Sequence, residues 1–221
     1  MFDYMTKIII YTGLSISFDE AKEILDSYEN VEVIYKRPIK RGDILEAIKE
    51  KPDIIGIIDG VFHQSPSVAH KEILKAIDCG IIVVGSSSMG ALRASELDTL
   101  GMKGIGYVYN QYTSGEIASD DDVAVVLDNE TLESLSEPLV NMDYIFKEAV
   151  KKGIITKKER KDLLGIIKSI YYPERTYSKL FKESDLDKNK KNKLIELISS
   201  SKDIKKEDAK ELLNYIKQLI R

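Results

Sequence analysis

The chain has 221 residues, of which 43% are hydrophobic and 32% are charged. This composition supports a folded core and excludes a wholly disordered chain. The length allows one domain with an appendage or two small domains. Apolar runs such as 54–58 and 81–85 are too short to cross a bilayer, and residues 1–7 lack the pattern of a signal peptide. We therefore expect a cytoplasmic protein that does not bind a membrane.

Cysteine content and charge limit the function further. A single cysteine, Cys79, excludes an internal disulfide and a cysteine-cluster zinc site. The net charge of −4 is uneven, since residues 1–150 carry 13 basic and 26 acidic side chains and residues 151–221 carry 20 and 11. The two segments either attract each other, which we favour, or the basic one binds an acidic partner. Because the basic residues are interleaved with acids in helical patterns, we expect no nucleic-acid binding.

Apolar runs alternate with helical patterns in the first part of the chain. Strands are expected at 7–12, 31–35, 53–58, 81–85 and 104–109, with helices at 17–26, 42–51, 65–80 and 89–100. Continuous apolar strands that alternate with helices are typical of a parallel sheet covered on both faces. The predicted fold is α/β, with a Rossmann-like, mostly parallel sheet that has helices on both faces and an all-helical C-terminal extension.

Only helical patterns follow residue 138. Helices are expected at 139–152, from a capping box at Thr156 and Glu159 through residue 170, and at 203–220, with a charged linker at 185–193. We therefore predict an α/β core domain at 1–138 and a basic helical segment at 139–221.

Three loops follow apolar strands and carry polar or glycine residues, at 12–15, 59–64 and 85–90. Ligands bind at the carboxyl ends of the strands in an open parallel sheet, so we expect these loops to share one edge. In the third loop, Ser88 stands at the start of a helix, where the helix dipole favours an anion. The turn resembles a nucleophile elbow, although Ser86 replaces the usual first glycine. Spacing alone favours helix capping over catalysis.

Titratable side chains lie near the same edge. His63 follows a strand and His70 lies in the next helix, and either is a candidate base or an ordinary packed residue. Asp59 ends a strand and could orient a base. Lys71 and Arg93 are candidates to hold a carboxylate, phosphate or oxyanion, with an ordinary salt bridge as the alternative. The acidic run 120–122 is better explained by a helix start than by a metal, and no nucleotide-binding motif is present, so we predict no metal and no cofactor.

Several of these segments resemble the TfuA-like family. They are IGIIDGVF at 55–62, PSVAHKEIL at 66–74 and GSSSMGALRASEL at 85–97. The resemblance extends over roughly residues 7–145. Ala69 departs from the family pattern, which has tryptophan there, and Ser86-Ser87 stand where small residues such as alanine are typical.

The resemblance implies a role beside YcaO enzymes, which use ATP to form peptide-backbone thioamides. The TfuA-like protein would supply the sulfur by releasing sulfide from a thiocarboxylated, ubiquitin-like sulfur carrier. In an archaeal host, the implied modified protein is methyl-coenzyme M reductase. Two other readings remain open: a non-catalytic adaptor that brings the carrier to YcaO, and a small-molecule binding domain that holds a nucleotide or sugar phosphate in the loop 12–15.

Release of sulfide from a thiocarboxylate is an acyl transfer, which needs a nucleophile or activated water, a base and oxyanion donors. With the resemblance, we assign Ser88 as nucleophile or oxyanion anchor, His70 as base, Asp59 as orienting group and Arg93 as clamp. His70 is preferred to His63 because it lies in the resembling segment, whereas position after the strand alone favours His63. Eight further residues are assigned to substrate binding: Thr12, Gly13, Ser15, Gly60, His63, Lys71, Ser87 and Gly90.

Overall fold

Five apolar runs form a parallel sheet in the computed structural model, which describes residues 5–25, 30–61, 66–126 and 134–220. The strands are β1 (Thr6–Tyr11), β2 (Val31–Lys36), β3 (Ile54–Ile57), β4 (Ile82–Ser86) and β5 (Lys103–Ile105). Their order is β2-β1-β3-β4-β5 and every pairing among them is parallel. The α/β prediction is confirmed. The order reverses between β1 and β3, and ligands bind beyond the carboxyl ends of the strands at such a switch point.

Ten α-helices are assigned in the described part of the chain. Five belong to the alternating part of the chain and five follow it: α1 (Phe18–Leu25), α2 (Asp43–Lys49), α3 (His70–Asp78), α4 (Met89–Leu97), α5 (Gly106–Thr113), α6 (Leu139–Lys151), α7 (Lys157–Ser169), α8 (Tyr177–Glu183), α9 (Lys188–Ser200) and α10 (Ile204–Leu219). None of these described helices is both long and apolar enough to span a membrane.

The chain forms two compact units, and the first is discontinuous in sequence. The sheet unit comprises Met1–Asp120 and Lys205–Arg221, and the helical unit comprises Asp121–Ile204. Buried Leu212, Leu213 and Ile216 of α10 share a core with the isoleucines of β1 and β3. The last helix, which falls in the predicted helical segment 139–221, therefore completes the core of the sheet unit.

Asp208 of α10 fixes the beginning of α5. Its carboxylate accepts hydrogen bonds from the backbone N–H groups of Tyr107 at 2.8 Å and Val108 at 2.7 Å. The side chain is 2% exposed, so these charge-assisted bonds are shielded from water. Gly106 precedes them with a φ of 96° and ends the extended segment. The predicted strand at 104–109 is therefore wrong beyond Ile105.

Two other helix boundaries differ from the predictions. α3 begins at His70 rather than near residue 65, which lies outside the described residues. The predicted linker at 185–193 contains the start of α9, because Asp187 accepts a hydrogen bond from the amide of Lys190 and caps that helix. The capping box at the start of α7 is confirmed.

The helical unit has a core of its own. α6 contributes Phe146, α7 contributes Leu163, and α8 and α9 contribute Leu180 and Leu194, all nearly or fully buried. An ion pair between Glu159 of α7 and Lys190 of α9 links these two helices. Hydrogen bonds from Lys190 and from Thr156 lower the pKa of Glu159 to about 2.

Candidate functional site

The turn between β4 and α4 brings three backbone segments into direct contact. A Cβ atom at Gly90 would lie 1.8 Å from the carbonyl oxygen of Ile57, and one at Gly85 would lie 2.2 Å from that of Gly90. The amide of Gly90 donates to the carbonyl of Ile58 at 3.3 Å. Only glycine fits at both positions, so the first turn of α4 lies directly on the end of β3.

The three serines of this turn have different environments. Ser86 Oγ donates to the carbonyl of Asp208 at 2.8 Å. Ser87 has a φ of 68°, in the region that favours glycine, and its buried Oγ has no hydrogen-bond partner among the described residues. Ser88 is the N-cap residue of α4, but its side chain makes no capping bond. Helix capping, which the spacing favours, is therefore not what the Ser88 side chain does.

Asp59 holds the loop that follows β1. Its Oδ2 accepts from the amides of Leu14 at 2.9 Å and Ser15 at 2.8 Å, and its Oδ1 accepts from Ser15 Oγ at 2.6 Å. The residue is fully buried. Within the described ranges, no hydrogen bond joins Asp59 to His70. Two amides of the loop 12–15 already donate to this carboxylate, and its negative charge would repel a phosphate. Both features disfavour binding of a nucleotide or sugar phosphate by this loop.

The other residues assigned at this edge have structural contacts. Thr12 Oγ1 donates to the carbonyl of Ile16 at 3.0 Å, and Gly13 has a φ of 133°. A Cβ atom at Gly60 would lie 2.5 Å from Cγ of Met89. The loop after β3 therefore contacts the loop after β1 through Asp59 and contacts α4 at Gly60, which limits what a ligand could reach at the switch point.

A pocket of about 460 Å³ lies along one face of α4. The α4 residues that line it are spaced three and four apart, as on a single helix face. The lining residues are Ser67, Met89, Leu92, Arg93, Glu96, Ala118, Ser119 and Asp120. The lining is thus partly apolar and partly polar or charged. It includes Met89, the residue after Ser88, whereas Ser88 itself is 2% exposed and does not line the pocket.

Arg93, Glu96 and His70 form a charged cluster at the far end of this pocket. Arg93 donates from Nε to the carbonyl of Val68 at 3.0 Å, from Nη1 to Glu96 Oε2 at 2.7 Å, and from Nη2 to Ser67 Oγ at 3.1 Å. His70 Nε2 donates to the same Glu96 oxygen at 2.7 Å. Every side-chain nitrogen of Arg93 therefore has a hydrogen-bond partner in the protein. Arg93 could bind an anion only if one of these hydrogen bonds were replaced.

The predicted catalytic residues fall into two groups. Ser88 and Glu96 are eight residues apart in α4, which corresponds to about 12 Å along the helix axis. His70, bonded to Glu96, therefore lies about two helical turns from Ser88. A base role for His70 at Ser88 requires its ring to leave Glu96 and turn toward the start of α4.

Two of the predicted binding residues, His63 and Lys71, have no described contact in the site, and two residues of the site were not predicted. His63 lies outside the described residues, and Lys71 is exposed in the first turn of α3. Sequence reasoning missed Glu96 and Ser67. The spacing of Arg93 and Glu96 at i and i+3 signals a helix-surface pair. Nothing local signals the contact of Glu96 with a histidine 26 residues earlier.

Replacing Asp59 with asparagine distinguishes a scaffold role from a catalytic one. Asparagine keeps only one oxygen, so at least one hydrogen-bond donor of the loop 12–15 loses its acceptor. We therefore expect the free energy of unfolding to fall by about 2 kcal/mol. Urea denaturation and sulfide release from a thiocarboxylated carrier are measured together. Unchanged stability with a strong loss of release would instead indicate that Asp59 contacts the substrate.

These features define an α/β protein with a doubly wound parallel sheet and a serine-rich strand-to-helix turn, whose helix lines a pocket. The family model for the TfuA-like protein matches residues 59–176, and the chain belongs to this family. The family is linked with YcaO-associated thioamidation. The comparison with curated proteins gave no significant match. A solved structure of the RcsB response regulator of Salmonella typhimurium is similar at 13% identity, covering 96% of this chain and 99% of that one, with a TM-score of 0.35, which supports no functional statement.

Proposed function

We propose that this protein supplies sulfide for YcaO-dependent backbone thioamidation by hydrolysing a thiocarboxylated sulfur-carrier protein. Membership of the TfuA-like family supports the partnership. The observation that carries the chemistry is the start of α4, where Ser88 makes no capping bond and is followed directly by Met89, which lines the pocket. Helix N-termini favour anions, and a thiocarboxylate is an anion.

The extended end of the carrier lies in the pocket along α4 in this proposal. Ser88 Oγ attacks the thiocarboxyl carbon and forms an ester, the carbon–sulfur bond breaks, and the serine proton leaves with the sulfur as hydrosulfide. Water then hydrolyses the ester and restores the serine. The first helical amides have no acceptor within the helix itself, so they are suited to hold the developing oxyanion.

The charged cluster at the far end of the pocket has a second role in the proposal. Glu96 and His70 are 37% and 47% exposed, so both are accessible to a polypeptide tail. Arg93 fixes Glu96, and Glu96 fixes the ring of His70. We assign the cluster to binding the carrier tail, and the base role of His70 stays a prediction to be tested with His70→Gln.

Ser88→Ala is expected to lower sulfide release from the thiocarboxylated carrier by about 100-fold or more, because the reacting hydroxyl is lost. The assay uses this protein alone, without YcaO or ATP. Ser95→Ala is the matched control, since Ser95 lies on the same helix and donates only to the carbonyl of Leu92. An unchanged rate in Ser88→Ala would contradict the nucleophile role.

A non-catalytic adaptor is the second candidate, and the separate core of the helical unit favours it. An adaptor releases no sulfide alone but stimulates thioamide formation when YcaO and ATP are added. Deleting residues 151–221 does not test this reading, because α10 belongs to the core of the sheet unit. Charge reversal at exposed lysines of α7, such as Lys161→Glu, leaves both cores intact and tests the docking surface.

A further inference from the structure

Ser87 combines two features that each lower the stability of the sheet unit. Its φ of 68° is unfavourable for a residue with a side chain, and its hydroxyl is buried without a hydrogen-bond partner among the described residues. Glycine at this position would remove both costs. Buried unpaired polar groups and strained backbone residues are found at sites that contact ligands.

The position of Ser87 suggests which ligand group it would meet. It directly precedes the N-cap of α4, where the helix dipole and the first-turn amides attract negative charge. Two of those amides are already used, because Gly90 donates to Ile58 and Leu92 donates to Ser88. The amides of Met89 and Ala91 are the ones for which helix geometry supplies no acceptor.

We infer that the Ser87 hydroxyl, with the first-turn amides of α4, forms an anion site and donates a hydrogen bond to the thiocarboxylate end of the substrate. The identity of the anion rests on the proposed function. The hydroxyl needs an acceptor that the protein does not supply, and an anionic sulfur or oxygen is such an acceptor. Ser87 is completely buried, so a ligand reaches it only after the atoms that cover it move.

The two neighbouring serines then have separate tasks. Ser88 reacts with the thiocarboxyl carbon, and Ser87 binds the charged end of the same group. Ser86 does neither, because its hydroxyl donates to the carbonyl of Asp208. Loss of Ser87 therefore weakens binding of the anion, whereas loss of Ser88 removes the reacting oxygen.

The test is an NMR titration of the full-length protein with thioacetate, the simplest stable thiocarboxylate, and with acetate as the oxygen counterpart. We expect saturable shifts of the amides of Met89, Gly90 and Ala91. Ser87→Ala and Ser87→Gly should weaken thioacetate binding by about 10- to 100-fold, the value of one hydrogen bond to a charged group. Ser95→Ala should bind as the wild type does.

The two Ser87 variants separate a functional from a structural role. Glycine suits the positive φ, so Ser87→Gly should keep or raise the melting temperature while it loses thioacetate binding. Unchanged thioacetate affinity in both variants, or no saturable shift at the start of α4 in the wild type, would overturn the inference. Acetate binding as tightly as thioacetate would assign the site to the carboxylate product as well. Failure of sulfide release with thioacetate binding intact would overturn only the proposed function.

Discussion

Gly90→Ala is expected to destabilise the sheet unit by about 4 kcal/mol or more, which is enough to leave it unfolded or insoluble. A methyl group at this position would lie 1.8 Å from the carbonyl oxygen of Ile57, and 3.3 Å from Cα of Gly85. Both neighbours are backbone atoms, so no side chain can rotate away to make room. Relief requires α4 to lift off β3 and carry the serine turn with it. Soluble yield and urea denaturation measure the effect.

Gly165→Ala is the matched control for this change. Gly165 is also helical, in α7, but nothing lies within 4 Å of a Cβ atom there. Alanine is the better helix former, so the same added methyl group should stabilise the helical unit by about 1 kcal/mol. Similar changes in stability for Gly90→Ala and Gly165→Ala would contradict the close approach of Gly90 to the carbonyl oxygen of Ile57.

A chain that ends at Asp203 is expected to lose the fold of the sheet unit. It lacks Leu212, Leu213 and Ile216, which are each fully buried. Burial of one such side chain contributes about 1.5–3 kcal/mol, so three approach the total stability of about 5–15 kcal/mol of a typical domain. The carboxylate of Asp208 at the start of α5 is lost as well. Circular dichroism and thermal unfolding check this result.

Leu219→Ala provides the comparison, because Leu219 lies on the same helix and is 40% exposed. We expect a change of about 0.5 kcal/mol or less for this surface position. A shortened chain that unfolds at the same temperature as the full protein would contradict the assignment of α10 to the sheet unit.

Local patterns predict most of the sheet, and distant contacts decide the parts that were missed. The strands around Ile9, Ile55 and Val83 are continuous apolar runs, which a sheet covered on both faces requires. The segment after Ile105 also has β-forming residues, but it becomes helical because Asp208 caps it from 100 residues away. No local propensity contains that information.

The candidate site also has parts that the local sequence predicts and parts that depend on distant contacts. The serine turn was predictable, because a strand, closely spaced glycines and a helix start follow one another within 85–90. Which of the three serines has the unpaired hydroxyl was not predictable. It depends on the φ of Ser87 and on the hydrogen bond of Ser86 to a carbonyl of α10. The pairing of His70 with Glu96 likewise depends on how α3 and α4 are placed in space.

The discontinuous sheet unit has a consequence for biosynthesis. Its final helix is translated only after the helical unit, so the apolar surface of β1 and β3 that α10 covers stays open while the whole helical unit is made. Exposed apolar surface on incomplete chains promotes aggregation. Premature termination or proteolysis that removes α10 should therefore lower the amount of soluble protein, although every strand of the sheet is still made.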